Sequence, residues 1–538
     1  MSSLPSQSTP ALQGRIEYKW KVLLTVIFGI FMVILDTTVV NVAFQTLRQE
    51  FGATLNDSQW IISIYVLSLG ISTPLSGYLA DRFGIKRVYL GGLLIFVIGS
   101  LLCGIAPNLW FLIAARALQG FGGGVALPLS IALLISSFPV AEQGAALGFF
   151  GIAALSAPAI GPILGGWLVD QNVWRFIFFI NPPIGIIGVL LGSRLLRERK
   201  SERKPSFDIL GLITEIIGFG SLLYGASLAA NGDWTSPSVL TWFAIGAVGL
   251  IAFAIVELYI AKEPLLDLRL FQKRTFLNAS LLGYVSVIAL FGAEFLLPVY
   301  LQALRGRTAL ETGIILLPMA ITGAIFSVIA GRLYDRLGPR PLVAVGFGIL
   351  IINTWQLSQL QADTAISWIV FLLVLRGVAL GLTVQTTLIT ALSVVPMRHL
   401  ARGSSLSNAT RNVVQSVGVA LLATVLASTL SPQVQALQTQ LLSNPSKVGA
   451  PPVAICESSN TTFASASGSA AGGSAQLPSN AFALVARACA ESVQGFERAY
   501  TVTFYAALMA LVLGLLLPGW PLKWAGRRAA DAPQVAGH

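Results

Sequence analysis

Gly77–Val88 reads GYLADRFGIKRV, and Gly331–Leu342 reads GRLYDRLGPRPL. The two stretches align without a gap as G-x-L-x-D-R-x-G. Each lies between two long apolar runs, and its glycines permit a tight turn from one run into the next. Each therefore marks the same second-to-third helix turn in two copies of one six-helix bundle. An internal repeat of this kind, related by an axis along the membrane normal, is the expected build of a secondary transporter.

Outward from these turns, apolar stretches of roughly 20 residues or more recur from Trp20 almost to the C-terminus, each long enough to span a bilayer. The 538 residues are 55% hydrophobic and 11% charged, whereas a soluble domain carries about 25% charge. The runs do not alternate in polarity, which favours helices over a barrel. Fourteen spans are predicted, near 22–45, 57–80, 87–106, 108–136, 144–169, 175–195, 208–230, 238–261, 275–302, 311–332, 341–359, 366–394, 404–430 and 499–522. The reading is an all-α membrane protein with two six-helix bundles and two linker helices.

The net charge of +11 is spread over short loops and forms no nucleic-acid-binding face. With both termini in the cytoplasm, roughly 24 Lys and Arg fall on inner segments and roughly 7 on outer ones. The richest inner loop is Arg194–Lys204, RLLRERKSERK. The predicted organisation is a cytoplasmic tail (1–21), an N-terminal bundle (22–195), a connection holding a basic loop and two linker helices (196–274), a C-terminal bundle (275–522) and a cytoplasmic tail (523–538). One long outer loop is expected over 431–498, with a Ser, Ala, Gly and Thr-rich linker inside it. Cys456 and Cys489 flank that linker, either as a disulfide or as two thiols.

Three cysteines and two histidines, His399 and His538, provide no zinc cluster and no Cys/His dyad. No phosphate loop of the GxxxxGK[ST] type is present, so the chain encodes no ATPase engine. No metal or other cofactor is expected, and no enzymatic activity.

Several motifs resemble the major facilitator superfamily, and within it the fourteen-helix drug:proton antiporters. Gly77, Leu79, Asp81, Arg82, Gly84, Lys86 and Arg87 match the superfamily's loop signature, with Ile85 in place of a basic residue. Leu35–Ala43 (LDTTVVNVA) resembles the family's first-span signature, although Phe44-Gln45 replaces the usual Leu-Pro. Arg116–Gly124 (RALQGFGGG) is similar to its fourth-span signature, and Ala157–Gly166 (APAIGPILGG) to the fifth-span pattern of antiporters. Trp174–Gly185 (WRFIFFINPPIG) is typical of the fourteen-helix group. The resemblance implies a plasma-membrane, proton-driven exporter of hydrophobic or cationic small molecules that works as a monomer. Its partners would be a small-molecule substrate, protons and the bilayer. A dedicated exporter of one metabolite, lipid or siderophore stands beside this reading, and a membrane-embedded sensor or enzyme behind both.

A carboxylate at mid-membrane costs about 2.5–3.5 kcal/mol on insertion scales, so each one asks for a reason. At 1.5 Å per residue, Asp36 in span one and Arg116 in span four lie at roughly 14 and 12 Å from the outer face. Glu294 in span nine and Arg376 in span twelve fall at similar depths, so each half carries an acid followed by a base. Asp36, Arg116, Glu294, Asn41 and Gln119 are the candidate proton-coupling and substrate residues, with a structural ion pair as the alternative for each acid and base. Trp60, Tyr65 and Asn181 are further candidates for a cavity wall. Gly77, Asp81, Arg82, Gly84 and Arg87, with Asp335 and Arg336 in the second copy, form a candidate conformational latch. Asp81 there faces either a helix N-terminus or a basic residue. Gly161, Pro162, Gly165 and Gly166 form a candidate antiporter hinge, because proline frees a carbonyl and glycines admit a close neighbour. Glu215 reads as an interfacial or packing residue, and Glu257 as one that snorkels to the interface.

Overall fold

The computed structural model describes residues 17–53, 55–198, 208–229, 234–361, 363–429, 431 and 480–519. These residues form helices and connecting turns, with no strand among them. The first bundle holds α1 (Tyr18–Glu50), α2 (Leu55–Phe83), α3 (Ile85–Gly104), α4 (Leu109–Ser137), α5 (Gln143–Asp170), α6 (Phe176–Phe179) and α7 (Asn181–Leu195). Helices α8 (Ile209–Ala229) and α9 (Pro237–Ile255) make an antiparallel linker pair. The second bundle holds α10 (Arg274–Val299), α11 (Ala309–Leu337), α12 (Pro339–Leu357), α13 (Ile366–Ser393), α14 (Leu400–Ala427) and α15 (Asn480–Leu515). Among the described residues, 13 helices are long and apolar enough to cross a membrane, and Arg274–Leu290 is a shorter apolar stretch.

The repeat is visible in the backbone. Gly84 and Gly338 hold equivalent places after α2 and α11, with φ of 96° and 79°. Each donates its N–H to the carbonyl four residues back, Ala80 and Tyr334, at 2.9 Å. A residue with a Cβ is strained at such a φ, so this glycine ends one helix and lets the next start at once.

Two expectations of extent are revised. Part of the loop expected over 431–498 is helix, since α15 begins at Asn480. Its early turns are held by side chains: Arg487 pairs with Glu491 at 2.8 Å, and Glu491 accepts the Ser431 N–H at 2.7 Å. Phe496 and Tyr500 then enter the core beside Leu301 and Ile369. The span expected over 175–195 is divided at Ile180 into α6 and α7. Pro182 and Pro183 follow the break, and neither has an N–H to return to the preceding turn. Cys489 is disulfide-bonded, and Cys456 lies outside the described residues. Cys103 is a buried free thiol.

The halves meet along α5 and α11. Gly144 and Gly148 leave room for the backbone of α11, where a Cβ on Gly148 would stand 2.6 Å from the Ser327 carbonyl. Ser327 Oγ donates to the Gly148 carbonyl at 3.1 Å. On the other side of the molecule, α14 lies against α2 and α4. The Ser76 and Ser405 hydroxyls meet at 2.7 Å, and Ser404 donates to the Pro128 carbonyl at 2.9 Å.

Candidate functional site

Asp36 lies in the middle of α1 and is fully buried. A lone carboxylate there would be expensive, and the fold surrounds it with donors. Arg116 Nη1 reaches Asp36 Oδ2 at 2.6 Å, and Gln119 Nε2 and Asn181 Nδ2 each reach Oδ1 at 2.8 Å. Gln119 is one helical turn beyond Arg116 on α4, so one face of one helix supplies two of the three donors. Its carbonyl accepts from Arg116 Nη1 at 2.7 Å, and the Cys103 thiol lies 3.6 Å away.

Arg116 is also held away from the carboxylate. Its Nε donates to the Ile61 carbonyl at 3.2 Å, and its guanidinium sits 4.0 Å from the centre of the Tyr65 ring. The planar fork lets one cation serve a carboxylate, an amide and a carbonyl together while stacking on an aromatic face. Tyr65 in turn donates to the Val33 carbonyl of α1 at 3.3 Å.

Asn181 enters the cluster because of the break before α7. Pro182 has no N–H for the Phe178 carbonyl, and that carbonyl accepts the Ser100 hydroxyl at 2.8 Å. Ser100 Oγ accepts from Asn181 Nδ2 at 3.0 Å. The relay runs from proline to carbonyl to serine to asparagine to Asp36. Gln119 and Asn181 thus join Asp36 and Arg116, while Asn41 is exposed, five residues further along α1.

The second half is built differently. Arg376 is buried and donates to the Ala289 and Leu290 carbonyls of α10 at 3.0 and 2.7 Å, and to Asn353 Oδ1 at 3.3 Å. It reaches the helix that carries Glu294. The Glu294 side chain lies outside the described residues. Below this level, α10, α13 and α14 line a small, partly open recess whose polar lining includes Ser280, Tyr284, Thr387, Ser407 and Arg411 and no acidic residue.

The two repeat loops face the opposite halves at one end of the bundle. Asp81 Oδ2 lies 2.6 Å from Arg402 Nε, in the first turn of α14. Asp335 instead accepts the Gly144 and Ala145 N–H groups at 3.0 and 3.3 Å, in the first turn of α5. One copy meets a basic residue and the other a helix N-terminus, which are the two partners considered for this aspartate. Gly77 and Gly331 permit these approaches: a Cβ on Gly77 would stand 2.9 Å from Arg402 Cα, and one on Gly331 would meet the Gly144 carbonyl. Around them, Arg82 donates to the Tyr78 hydroxyl at 2.8 Å, and Arg87 and Arg336 are exposed. Glu198 accepts the N–H groups of Lys86 and Arg87 at 3.2 Å and caps α3 beside Gly84.

In the candidate hinge, Gly161 receives Thr38 of α1 and Gly165 lies 3.1 Å, by its Cβ position, from the Val39 carbonyl. Pro162 faces Gly313 of α11, and Gly166 is buried. Helix α5 therefore touches the helix that carries Asp36 with one set of glycines and the opposite half with another.

Arg402 was not singled out in the sequence, because an arginine at the inner end of a span reads as a topology residue. Ser100 was missed as well. Its only signal is the proline pair that frees a carbonyl on another helix.

A sequence model of the family described as Major Facilitator Superfamily matches residues 26–419. An uncharacterized MFS-type transporter of Bacillus subtilis, YhcA, is 37% identical over 403 residues, covering 75% of this chain and 76% of that protein. A protein of Mycobacterium tuberculosis named as a multidrug resistance protein B homolog is 31% identical over 500 residues, covering 92% and 88%. The crystal structure of a human organic anion transporter, TETRAN, superposes with a TM-score of 0.57 at 12% identity, covering 91% of this chain and 99% of that one.

Proposed function

The chain belongs to the Major Facilitator Superfamily and is a multi-pass protein of the plasma membrane, and from that premise we propose that it is a proton-coupled exporter of hydrophobic or cationic small molecules. In this reading it has fourteen spans with both termini in the cytoplasm, and it alternates access between its two six-helix halves. It moves its substrate unchanged and needs no cofactor.

The observation that carries the reading is the wholly buried Asp36, held by Arg116, Gln119 and Asn181. A proton on this carboxylate removes the charge that holds Arg116 Nη1 and turns one acceptor oxygen into a donor. Three helices, α1, α4 and α7, then lose a common anchor. The ionised carboxylate closes the cluster again, so proton and substrate compete for one negative charge and alternate at it. The Asp81–Arg402 pair and the Asp335 cap close the cytoplasmic end in this conformation. The multidrug name of the M. tuberculosis relative supports the substrate class.

The recess in the second half favours a second reading, a dedicated exporter of one metabolite, because its lining includes hydroxyls and Arg411 and no acid. Proteoliposomes with an imposed pH gradient decide between the readings. The wild type is expected to move a lipophilic fluorescent cation with the gradient, and Asp36→Asn is expected to lose that movement. Transport indifferent to the gradient, or unchanged in the variant, removes Asp36 from coupling. If no such dye moves, the dedicated carrier is the better reading.

A further inference from the structure

The linker pair holds two buried acids that the transport reading does not use. Helices α8 and α9 pack through small residues: Gly218 lies against Gly249 and Leu250, Gly246 against Leu222, and Gly225 against Phe243. Gly211, one more step along the same stripe, faces Glu257, whose Oε1 would lie 2.9 Å from an added Cβ. Glu215 sits on this stripe between Gly211 and Gly218, one turn from each. It is 0% exposed, so it is no interfacial residue, and neither of its carboxylate oxygens has a hydrogen-bond partner. Glu257 is 2% exposed, so it does not snorkel. Its Oε1 accepts the Leu265 N–H at 3.2 Å, and its Oε2 has no partner.

Among the described residues, Asp208 and Arg402 are the charged groups beside the pair. Asp208 at the start of α8 gives one oxygen to the Gly211 N–H at 2.8 Å, and its other oxygen is unpartnered. Arg402 on α14 is the nearby cation among the described residues, and its N–H groups are directed elsewhere. They reach Asp81 of α2 at 2.6 Å, Glu263 at 3.7 Å and the Pro264 carbonyl at 3.1 Å. Among the described residues no cation bonds to either carboxylate, so two ionised groups in this apolar seam would cost several kcal/mol. A proton on Glu215 relieves that cost for one of them and leaves Glu257 as the acceptor for Leu265.

We propose that Glu215 and Glu257 form a proton-binding site in the linker pair, and that its occupancy governs the Asp81–Arg402 lock. The connection is the chain itself. Leu265, bonded to Glu257, directly follows Glu263 and Pro264, which flank Arg402. Losing the proton sets two like charges in one buried seam, pushes Glu257 off Leu265 and slackens the support of Arg402. Protons would then act at a place remote from Asp36.

The test uses purified full-length protein in lipid, without substrate or gradient, so its result stands apart from that of the export assay. Infrared spectra over a pH series are expected to show a protonated carboxylic-acid band that Glu215→Gln removes and Glu215→Asp retains. Spin labels at the exposed positions Phe83 and Leu337 are expected to separate as pH rises in the wild type and to stay at the closed distance in Glu215→Gln. An identical band in Glu215→Gln, or label distances that respond to pH equally in both proteins, overturns the proposal. Should Glu215→Gln not fold, Glu257→Gln is expected to shift the midpoint of the same band, and an unmoved midpoint overturns it equally.

Discussion

Asp81 on α2 and Asp335 on α11 hold equivalent places in the repeat, yet Asp81 grips the Arg402 side chain while Asp335 caps the backbone of α5. The lock at this end is therefore two-sided and chemically unequal. Its Arg402 side joins two charged side chains, and its α5 side joins one carboxylate to backbone N–H groups.

Removing the charge from Asp81 leaves Arg402 nearly buried with only Glu263 and a carbonyl beside it. Both side chains keep some solvent contact, 7% and 18% exposed, so the loss is about 1–2 kcal/mol and less than a fully buried pair would cost. Asp81→Asn is expected to shift the balance toward the open end by on the order of tenfold. Pulsed spin-label distances across the two loops should show the longer population growing, and an unchanged distribution would argue against a lock.

Gly144 and Gly331 approach so closely that an added methyl on either would press on the other's backbone. Gly331→Ala is expected to cost about 1–3 kcal/mol in the closed conformation and to slow transport severalfold with little loss of expression. Gly91, where a Cβ meets nothing within 4 Å, supplies the control: Gly91→Ala should transport like the wild type.

Arg116→Lys keeps the charge but loses the fork. One ammonium cannot reach Asp36 and Gln119 while donating from the Nε position to the Ile61 carbonyl and stacking on Tyr65. Gradient-driven transport is expected to fall at least tenfold. Arg116→Ala leaves Asp36 buried without its cation and is expected to cost about 3–5 kcal/mol of stability, read as a large drop in melting temperature. A Lys variant with normal transport would mean that charge alone suffices.

Pro182→Ala returns an N–H that can bond to the Phe178 carbonyl and displace the Ser100 hydroxyl. Asn181 then loses its second partner. Thermal stability is expected to stay level or rise while transport drops severalfold, a split that simple damage to the fold would not produce. If both quantities stay at wild-type values, the relay from proline to Asp36 is not needed.

Most of the architecture was legible in the chain alone. The span positions follow from apolar runs that must satisfy their own backbone in lipid, and the repeat follows from two turns with glycines at the same places. Asp36, Arg116 and Gln119 were also legible, since a polar group on an apolar helix stands out and equal depth along two helices is simple arithmetic. What stayed hidden depends on which helix faces which. Hydropathy reports distance from water and does not distinguish a lipid-facing side from a neighbour-facing one, so Glu215 and Glu257 looked peripheral although both are buried. Arg402 looked like any inner-loop cation until folding brought Asp81 within 2.6 Å of it. The sequence by itself determined where the long apolar runs lie, where the two repeated turns fall and which polar groups those runs carry. Only the tertiary structure decided which of those groups meet, because hydrogen bonds and ion pairs act over about 3 Å and that distance is set by packing between segments far apart in the chain.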